Sequence, residues 1–488
     1  MSSTVTVIVL AAGGGTRMKS KTMKVLHPVA GRSMIAHVLN AVRAVEPHQV
    51  VAVVGHQREA VGQHIQDFMP DAVLAVQEEQ RGTGHAVRVA VEALEDLGDG
   101  TVIVATGDTP LLQGESLRAF AAEHEAAQRA VSVLTAVVAD PFGYGRIVRD
   151  ADGDVEAIVE EKDAKPAERE IAEINSGILA FDASFLVEAL PRIGNDNAKG
   201  EYYLTDLVQL ARDAGLTVGA HAIDDPWQTE GANDREELAI LGRELNRRIV
   251  GRWMREGVTV MDPETTWIDA DVELAQDVTI LPGTQLLGAT VVAADAVIGP
   301  DCTLKDCEIG VGARVVRTHA ELAVVGQEAT VGPFSYLRPG TKLGARGKIG
   351  GFVETKNADI GEGAKVPHLS YVGDAEIGEG ANIGAGTIFA NYDGVAKHRT
   401  TIGRHAKTAS NNTFVAPVEV GDGAATGAGT VVRRDVPPGA LAVSAGPQRN
   451  LPGWAQAKRP GTAQARAAEA ASGDATEVTP PEEDPELG

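Results

Sequence analysis

Three glycines followed by a cluster of cations stand near the start of the chain. The string Leu10-Ala-Ala-Gly-Gly-Gly-Thr-Arg-Met18 runs on to Lys24-Val-Leu-His27 and places Arg17, Lys19, Lys21 and Lys24 within eight residues. The apolar, β-branched run Val5–Leu10 before it reads as a strand that breaks into a loop with little side-chain bulk. Backbone N–H groups in such a loop can close on an anion. The whole chain carries a formal net charge of −24, so this local reversal of sign points to a polyphosphate. The loop is neither G-x-G-x-x-G followed by an acidic residue nor G-x-x-x-x-G-K-[ST]. Taken alone, it is equally a tight strand-to-helix turn with a solvated basic face.

Two further residues could do chemistry. Asp108, in Thr106-Gly107-Asp108-Thr-Pro, follows the strand-like run Thr101–Ala105. It is either an ordinary turn aspartate or a hard oxygen ligand for Mg²⁺ on nucleotide phosphates. His368, in His368-Leu-Ser-Tyr371, is one of 12 histidines, most of which need be no more than structural. An imidazole titrating at about 6.5 suits proton removal at neutral pH. Basic and polar residues gather around this one: Arg338, Lys356, Asn382, Asn391-Tyr392 and Lys397.

The elements that must position these groups are of two kinds. From Met1 to about Arg235, β-branched runs (Val5–Leu10, Gln49–Val54, Ala72–Val76, Thr101–Ala105, Val131–Val138) alternate with segments of helical spacing (Met34–Val45, Gly84–Leu97, Glu115–Ala130). That alternation predicts a doubly wound α/β domain with a mostly parallel sheet and ligands at the carboxyl ends of its strands. Arg235–Glu256, without proline and with Leu238, Leu241, Leu245, Ile249 and Met254 at helical spacing, predicts one long connecting helix. Beyond it Val325, Val331, Leu337, Leu343 and Ile349 recur every six residues, a period that fits the hexapeptide repeat of a parallel β-helix.

Composition agrees. A length of 488 residues allows roughly three domains. No apolar run approaches the roughly 18–20 residues that span a bilayer, and Val5–Ala12 lacks the basic lead of a signal peptide; a soluble protein is expected. Cys302 and Cys307 form neither a disulfide framework nor a zinc site and are expected to be small, reduced, buried side chains in a cytoplasmic protein. The negative charge argues against nucleic acid or an anionic membrane as partner. With 55 glycines and only 4% aromatics, the chain suits an architecture of many turns and a narrow interior. Ser472–Gly488 is acidic, proline-rich and expected to be disordered.

L-A-A-G-x-G-T-R-M followed by K-V-L-H resembles the signature of the sugar-nucleotide pyrophosphorylases. With the sixfold repeat, the resemblance extends over residues 4–450 to the bifunctional bacterial N-acetylglucosamine-1-phosphate uridyltransferase/glucosamine-1-phosphate acetyltransferases. It implies a Rossmann-like nucleotidyltransferase domain at 1–235, a linker helix at 236–256, a left-handed β-helix acetyltransferase domain at 257–450 that forms homotrimers, and a mostly disordered acidic tail at 451–488. In the first half it implies that Leu10, Ala11, Ala12, Gly13, Arg17 and Lys24 hold phosphates, and that Gln77, Gly82 and Thr83 read the uracil of UTP. Thr106, Gly107 and Asp108 border the nucleotide, Gly145, Glu160 and Asn175 hold the sugar, and Asp108 with Asn233 binds Mg²⁺. Arg17 and Lys24 join His368 as the catalytic group.

In the second half the resemblance implies that His368 deprotonates the amine of glucosamine 1-phosphate for attack on acetyl-CoA. Arg338 and Lys356 would bind its phosphate, and Tyr371, Asn382 and Lys397 its sugar. The Ala385 N–H would face the oxyanion, with Asn391, Tyr392, Ser410 and Ala428 toward coenzyme A. The implied sequence of reactions is acetylation, then uridylyl transfer to N-acetylglucosamine 1-phosphate, giving UDP-N-acetylglucosamine for cell-wall synthesis. Two positions depart from the family pattern: Met23 stands where proline is usual, leaving the loop's rigidity open, and Ala445 replaces an arginine that contacts coenzyme A, a role open to Arg449. The same architecture could serve another sugar 1-phosphate and another amine, or a non-catalytic regulatory scaffold; intact Arg17, Lys24, Asp108, Asn233 and His368 count against the scaffold.

Overall fold

The computed structural model describes residues 4–444, 446 and 448–472. The expectations placed on Ala445 and on 473–488 lie outside the described residues.

The first half is built on a nine-stranded sheet: β1 (Thr4–Leu10), β2 (Gln49–Val54), β3 (Val73–Val76), β4 (Gly100–Thr106), β5 (Val131–Val137), β6 (Gly145–Arg149), β7 (Val155–Val159), β8 (Glu173–Asp182) and β9 (Val218–Ile223). Their order is β9-β5-β8-β4-β1-β2-β3, with β8 antiparallel to both neighbours and the β6–β7 hairpin laid on its start. Successive residues of β1 alternate between two cores. Ile8 packs with Val51, Val53, Val102 and Val104 under the helix Thr83–Glu92, while Val7 and Val9 pack with Ala52, Ile103 and Leu134 under Met34–Val42 and Gly114–Ala126. The sheet is therefore buried on both faces, which is why its parallel strands read as continuous apolar runs. β1 and β4 run parallel with Leu10 opposite Thr106, so both chemistry-bearing loops leave the same edge of the sheet.

The connecting helix spans Arg235–Arg255 and is capped by Asp234, whose carboxylate accepts the N–H groups of Glu236 and Glu237 at 3.0 Å. Its Leu241 packs with Met18, Met34 and Leu111 of the first half; its Ile249 and Val250 join the core of the second. One helix thus contributes to both hydrophobic cores.

From Thr259 the chain winds into a parallel coil of short strands. Along one face Thr279, Val297, Arg314, Thr330, Lys348 and Lys365 stand in register, and the next residue of each rung (Ile280, Ile298, Val315, Val331, Ile349, Val366) points inward at no more than 2% exposure. Each face of the coil contributes such inward residues in turn, which gives the sixfold spacing along the chain, and all five diagnostic residues, Val325 to Ile349, are buried. The expected parallel β-helix is the observed fold. Cys302 and Cys307 are buried, unpaired members of its core. Between 451 and 472, where irregular chain is expected, two short helices form, Trp454–Lys458 and Ala463–Ser472; the second is rich in alanine, the best helix former.

Candidate active sites

Two groups of predicted residues are brought together, one in each half. In the first, Gly15 sits at φ 59° and carries the chain from the glycine run into the turn Thr16–Met18. A Cβ at Gly15 would fall 2.5 Å from the Cβ of Lys24, so glycine there lets Lys24 close on the loop. Met23 has φ −59°, within the range that proline imposes, and its side chain is buried in the core. Packing here does what the ring does elsewhere.

Lys24 is the centre of this site. Its ammonium donates to Asn233 Oδ1 at 2.7 Å and pairs with the Asp108 carboxylate. One carboxylate and one amide oxygen, 125 residues apart in the chain, therefore aim at a single point of positive charge. That donor set suits a hard divalent cation. Among the described residues no cluster of three or more His, Cys, Asp or Glu could hold a metal alone, so the remaining ligands would come from substrate phosphates and water. Arg17 is exposed on the same loop.

Beside this cluster lies a cavity of about 220 Å³, walled by Leu10, Thr83, Thr106, Gly145, Glu160 and Asn175 among others. All six belong to the residues expected at the nucleotide and sugar. Burial pushes the Glu160 carboxyl up, with Lys199 opposing. Thr106 Oγ1 is buried without a partner and so offers a polar contact to an occupant. Gln77, nearly fully buried, is fixed by contacts of its Nε2 with the Gly82 carbonyl (3.2 Å) and His85 Nδ1 (3.0 Å). Gln80, absent from the sequence-based set, holds the Ala12 carbonyl and with it the glycine loop.

In the coil, Arg338, Lys356, Tyr371, Asn391 and Lys397 form the second group. The Arg338 N–H donates to the Thr355 carbonyl one rung along, and Lys356 stands opposite Gly373 on the next. Arg338 is paired with Glu354 at 3.0 Å, but Lys356 lies against Lys397, and that like charge holds its ammonium below the usual lysine range. A local surplus of positive charge favours an anion. Tyr371 lies along the face toward Asn391, whose amide donates to Tyr371 Oη at 3.4 Å and to Asp374 Oδ2 at 2.5 Å. Burial acts to raise the Asp374 carboxyl, but hydrogen bonds from Asn357 and Asn391 and the nearby lysines outweigh it and hold it low. Gly373 makes this arrangement possible: a Cβ there would fall 2.4 Å from Tyr371 Oη and 2.6 Å from Asn391 Nδ2. Gly373 and Asp374 escaped the sequence reading because both look like ordinary corner residues.

His368 ends the strand Lys365–His368 at the edge before Tyr371, exposed, with its carbonyl accepting the Gly386 N–H. The next two rungs continue that edge: Asn411 donates to the Ala385 carbonyl and Gly429 to the Ser410 carbonyl. His368, Ala385, Ser410 and Ala428 therefore follow one edge of the coil, as a long ligand would require. Asn382 is not with Tyr371. It follows Lys365 on the preceding face, between inward-pointing Ala381 and Ile383. Tyr392 is exposed, with its hydroxyl on the Gly394 carbonyl at 2.7 Å.

Residues 7–168 match the family described as the MobA-like NTP transferase domain. Over nearly its whole length the chain is similar to proteins named bifunctional protein GlmU. It is 57% identical over 473 residues to that of Kineococcus radiotolerans, covering 97% of this chain and 96% of the relative. The protein of Paenarthrobacter aurescens is 58% identical over 467 residues (95% and 94% covered), and that of Streptomyces avermitilis 57% identical over 467 residues (96% and 97%).

Proposed function

The chain belongs to the GlmU family of bifunctional proteins, and on that premise we propose which residues perform each of its two reactions. It is an enzyme of UDP-N-acetylglucosamine synthesis with a uridyltransferase and an acetyltransferase activity. The observation that carries the first assignment is the convergence of Lys24, Asp108 and Asn233 beside the cavity of Gly145, Glu160 and Asn175.

In uridylyl transfer a phosphate oxygen of N-acetylglucosamine 1-phosphate attacks the α-phosphorus of UTP in line, forming one P–O bond as the bond to pyrophosphate breaks. Two anions meet and a third leaves, so positioning and charge neutralisation do the work. Lys24 and Arg17 supply positive charge, and the N–H groups of the 10–13 loop cradle phosphates. Gln77, Gly82 and Thr83 read the base; Gly145, Glu160 and Asn175 hold the sugar. Asp108 and Asn233 would hold Mg²⁺, which when bound neutralises phosphate charge.

In acetyl transfer Arg338 and Lys356 hold the phosphate of glucosamine 1-phosphate at one edge of the face, Tyr371 and Lys397 orient its sugar, and His368 takes the amine proton at the other edge. The amine attacks the thioester carbonyl of acetyl-CoA, and the coenzyme A thiol leaves. Ala385, Ser410 and Ala428 lie along the edge that the coenzyme follows, and Asn391 and Tyr392 flank the acetyl group. Asn382, one face away, reaches a site of this kind only on a second copy. The apolar edge beside His368 supports such packing: Phe334, Phe352 and Leu369 are all more than half exposed, with the two rings stacked at 5.2 Å. A homotrimer joined through the coil is the assembly we assign. No described helix is long and apolar enough to cross a membrane; with acetyl-CoA and UTP as co-substrates, the cytoplasm is the proposed location.

The test is an assay of full-length protein with glucosamine 1-phosphate, acetyl-CoA, UTP and Mg²⁺ that follows free thiol and pyrophosphate separately. Thiol without UTP, and pyrophosphate from N-acetylglucosamine 1-phosphate without acetyl-CoA, is the expected result. Pyrophosphate alone would assign the coil to another acceptor.

A further inference from the structure

The sugar cavity and the Lys24 cluster are joined by a contact that neither assignment uses. Tyr144 lines the cavity, and its phenol donates to Glu230 Oε2 at 2.6 Å. Burial and the adjacent Glu230 charge push this phenol far above the ordinary tyrosine range, so it remains a donor at any working pH. The loop that carries it is held from beneath. Arg146, 2% exposed, donates to Glu161 Oε2 at 2.7 Å and to the Tyr144 carbonyl, and Glu161 Oε2 also accepts the Gly143 N–H at 3.3 Å. Tyr144 thus projects from a fixed base.

Its acceptor stands on the segment that carries Asn233. After Glu230, Gly231 passes so close to Asp108 that an added Cβ would be 3.3 Å from its Cγ, Oδ2 and carbonyl oxygen. Ala232 is fully buried, and Asn233 offers Oδ1 to Lys24 while its N–H donates to Glu237 Oε2 at 2.6 Å. Four consecutive residues therefore hold the phenol's acceptor at one end and an oxygen of the Lys24 cluster at the other, pinned in between against Asp108. Movement of the first displaces the second.

We propose that Tyr144 is a positioning residue: its bond to Glu230 couples the sugar-cavity wall to the Asp108–Asn233 pair, holding the two cation-facing oxygens in register. The inference rests on the assignment of Asp108 and Asn233 to a divalent cation. Loss of the hydroxyl would leave the Glu230 carboxylate without its charge-assisted partner beside Asp108, and the 230–233 segment would relax away from it.

The test uses full-length Tyr144→Phe, which keeps the ring, and measures Mn²⁺ affinity of the protein with stoichiometric UTP by electron paramagnetic resonance alongside both activities. Expected are an Mn²⁺ dissociation constant about tenfold higher and a kcat for uridylyl transfer about tenfold lower at limiting metal, the loss of one charge-assisted bond. KM for N-acetylglucosamine 1-phosphate should stay within about twofold, and acetyl transfer should be unchanged. Glu230→Gln keeps an acceptor without its charge and should fall between wild type and Tyr144→Phe, whereas Glu230→Leu should behave as Tyr144→Phe. Unchanged Mn²⁺ affinity with a raised sugar KM would overturn the coupling and leave Tyr144 as cavity wall only. Wild-type Mn²⁺ binding by Asp108→Asn would instead remove the cation assignment, and the coupling with it, a failure readable from that variant alone.

Discussion

The two halves solve the same electrostatic problem, binding a sugar phosphate, by opposite constructions. In the first, Lys24, Asp108 and Asn233 come from loops up to 209 residues apart and meet as a compensated cluster beside a cleft at the strand ends. In the second, Arg338, Lys356 and Tyr371 come from successive rungs of a coil, and a surplus of positive charge is left on an open face. A winding sheet can bury a site because strand ends from distant segments share one edge. A β-helix has a filled interior, so its sites must lie outside, on rungs whose register aligns them. The first site should therefore be sensitive to loops, and the second to single atoms on its surface.

The largest expected effects separate the halves. Asp108→Ala should lower uridylyl transfer by about a thousandfold, the worth of a lost cation and its charge, with acetyl transfer spared. His368→Ala should lower acetyl transfer by about 10²–10⁴-fold with uridylyl transfer intact. If pyrophosphate and thiol release fall together in either variant, the halves are not separate. Next is Gly373→Ala, a single methyl group. It should displace Tyr371 and Asn391 and cost about 10–100-fold in acetyl transfer, with no change in uridylyl transfer or in the melting temperature of the first half.

A smaller effect, on stability, should distinguish the halves by pH. Burial holds His124 down to about 4, and His27 and His37 are also lowered by burial; all three belong to the first half. Between about 6.5 and 4 the unfolded chain takes up a proton at His124 that the folded one refuses. Stability is therefore full above pH 6.5 and falls as pH falls toward 4, by about 3 kcal/mol for this residue. Calorimetry at pH 7 and 4.5 should show the transition of the sheet domain moving down more than that of the coil. His124→Phe should shrink that difference; an equal shift in both transitions would contradict this account. Smallest is Met23→Pro. Because φ is already −59°, the backbone accepts the ring and uridylyl transfer should stay within about twofold, while loss of the buried side chain should cost about 2 kcal/mol of stability.

The same contrast governs what the sequence reveals. Five of the parallel strands were legible as β-branched runs, whereas β9, also parallel, escaped because Val218–Ile223 carries glycine, histidine and two alanines and is mostly half-buried. The coil was legible because aliphatic residues at a regular spacing must point inward. The antiparallel β8 and its hairpin were not read as strands. β8 begins Glu-Ile-Asn-Ser-Gly, where residues that wall the cavity interrupt the apolar pattern. The loop cations were visible as charge against an acidic chain, but that Lys24 alone enters the cluster depends on Gly15 and on core packing of Met23. The resemblance groups Asn382 with Tyr371, yet eleven residues of coil carry it to another face. The helix Ala463–Ser472 was hidden by the acidic proline-rich stretch that follows it.

The central claim is that the two reactions use separate sites, one in each half. The direct test is to mix Asp108→Ala and His368→Ala proteins with glucosamine 1-phosphate, acetyl-CoA, UTP and Mg²⁺, and to follow UDP-N-acetylglucosamine. The account predicts that neither variant alone makes the product, and that the mixture does, with N-acetylglucosamine 1-phosphate passing between molecules through solution. No product from the mixture, while each variant retains its own half-reaction, would contradict it.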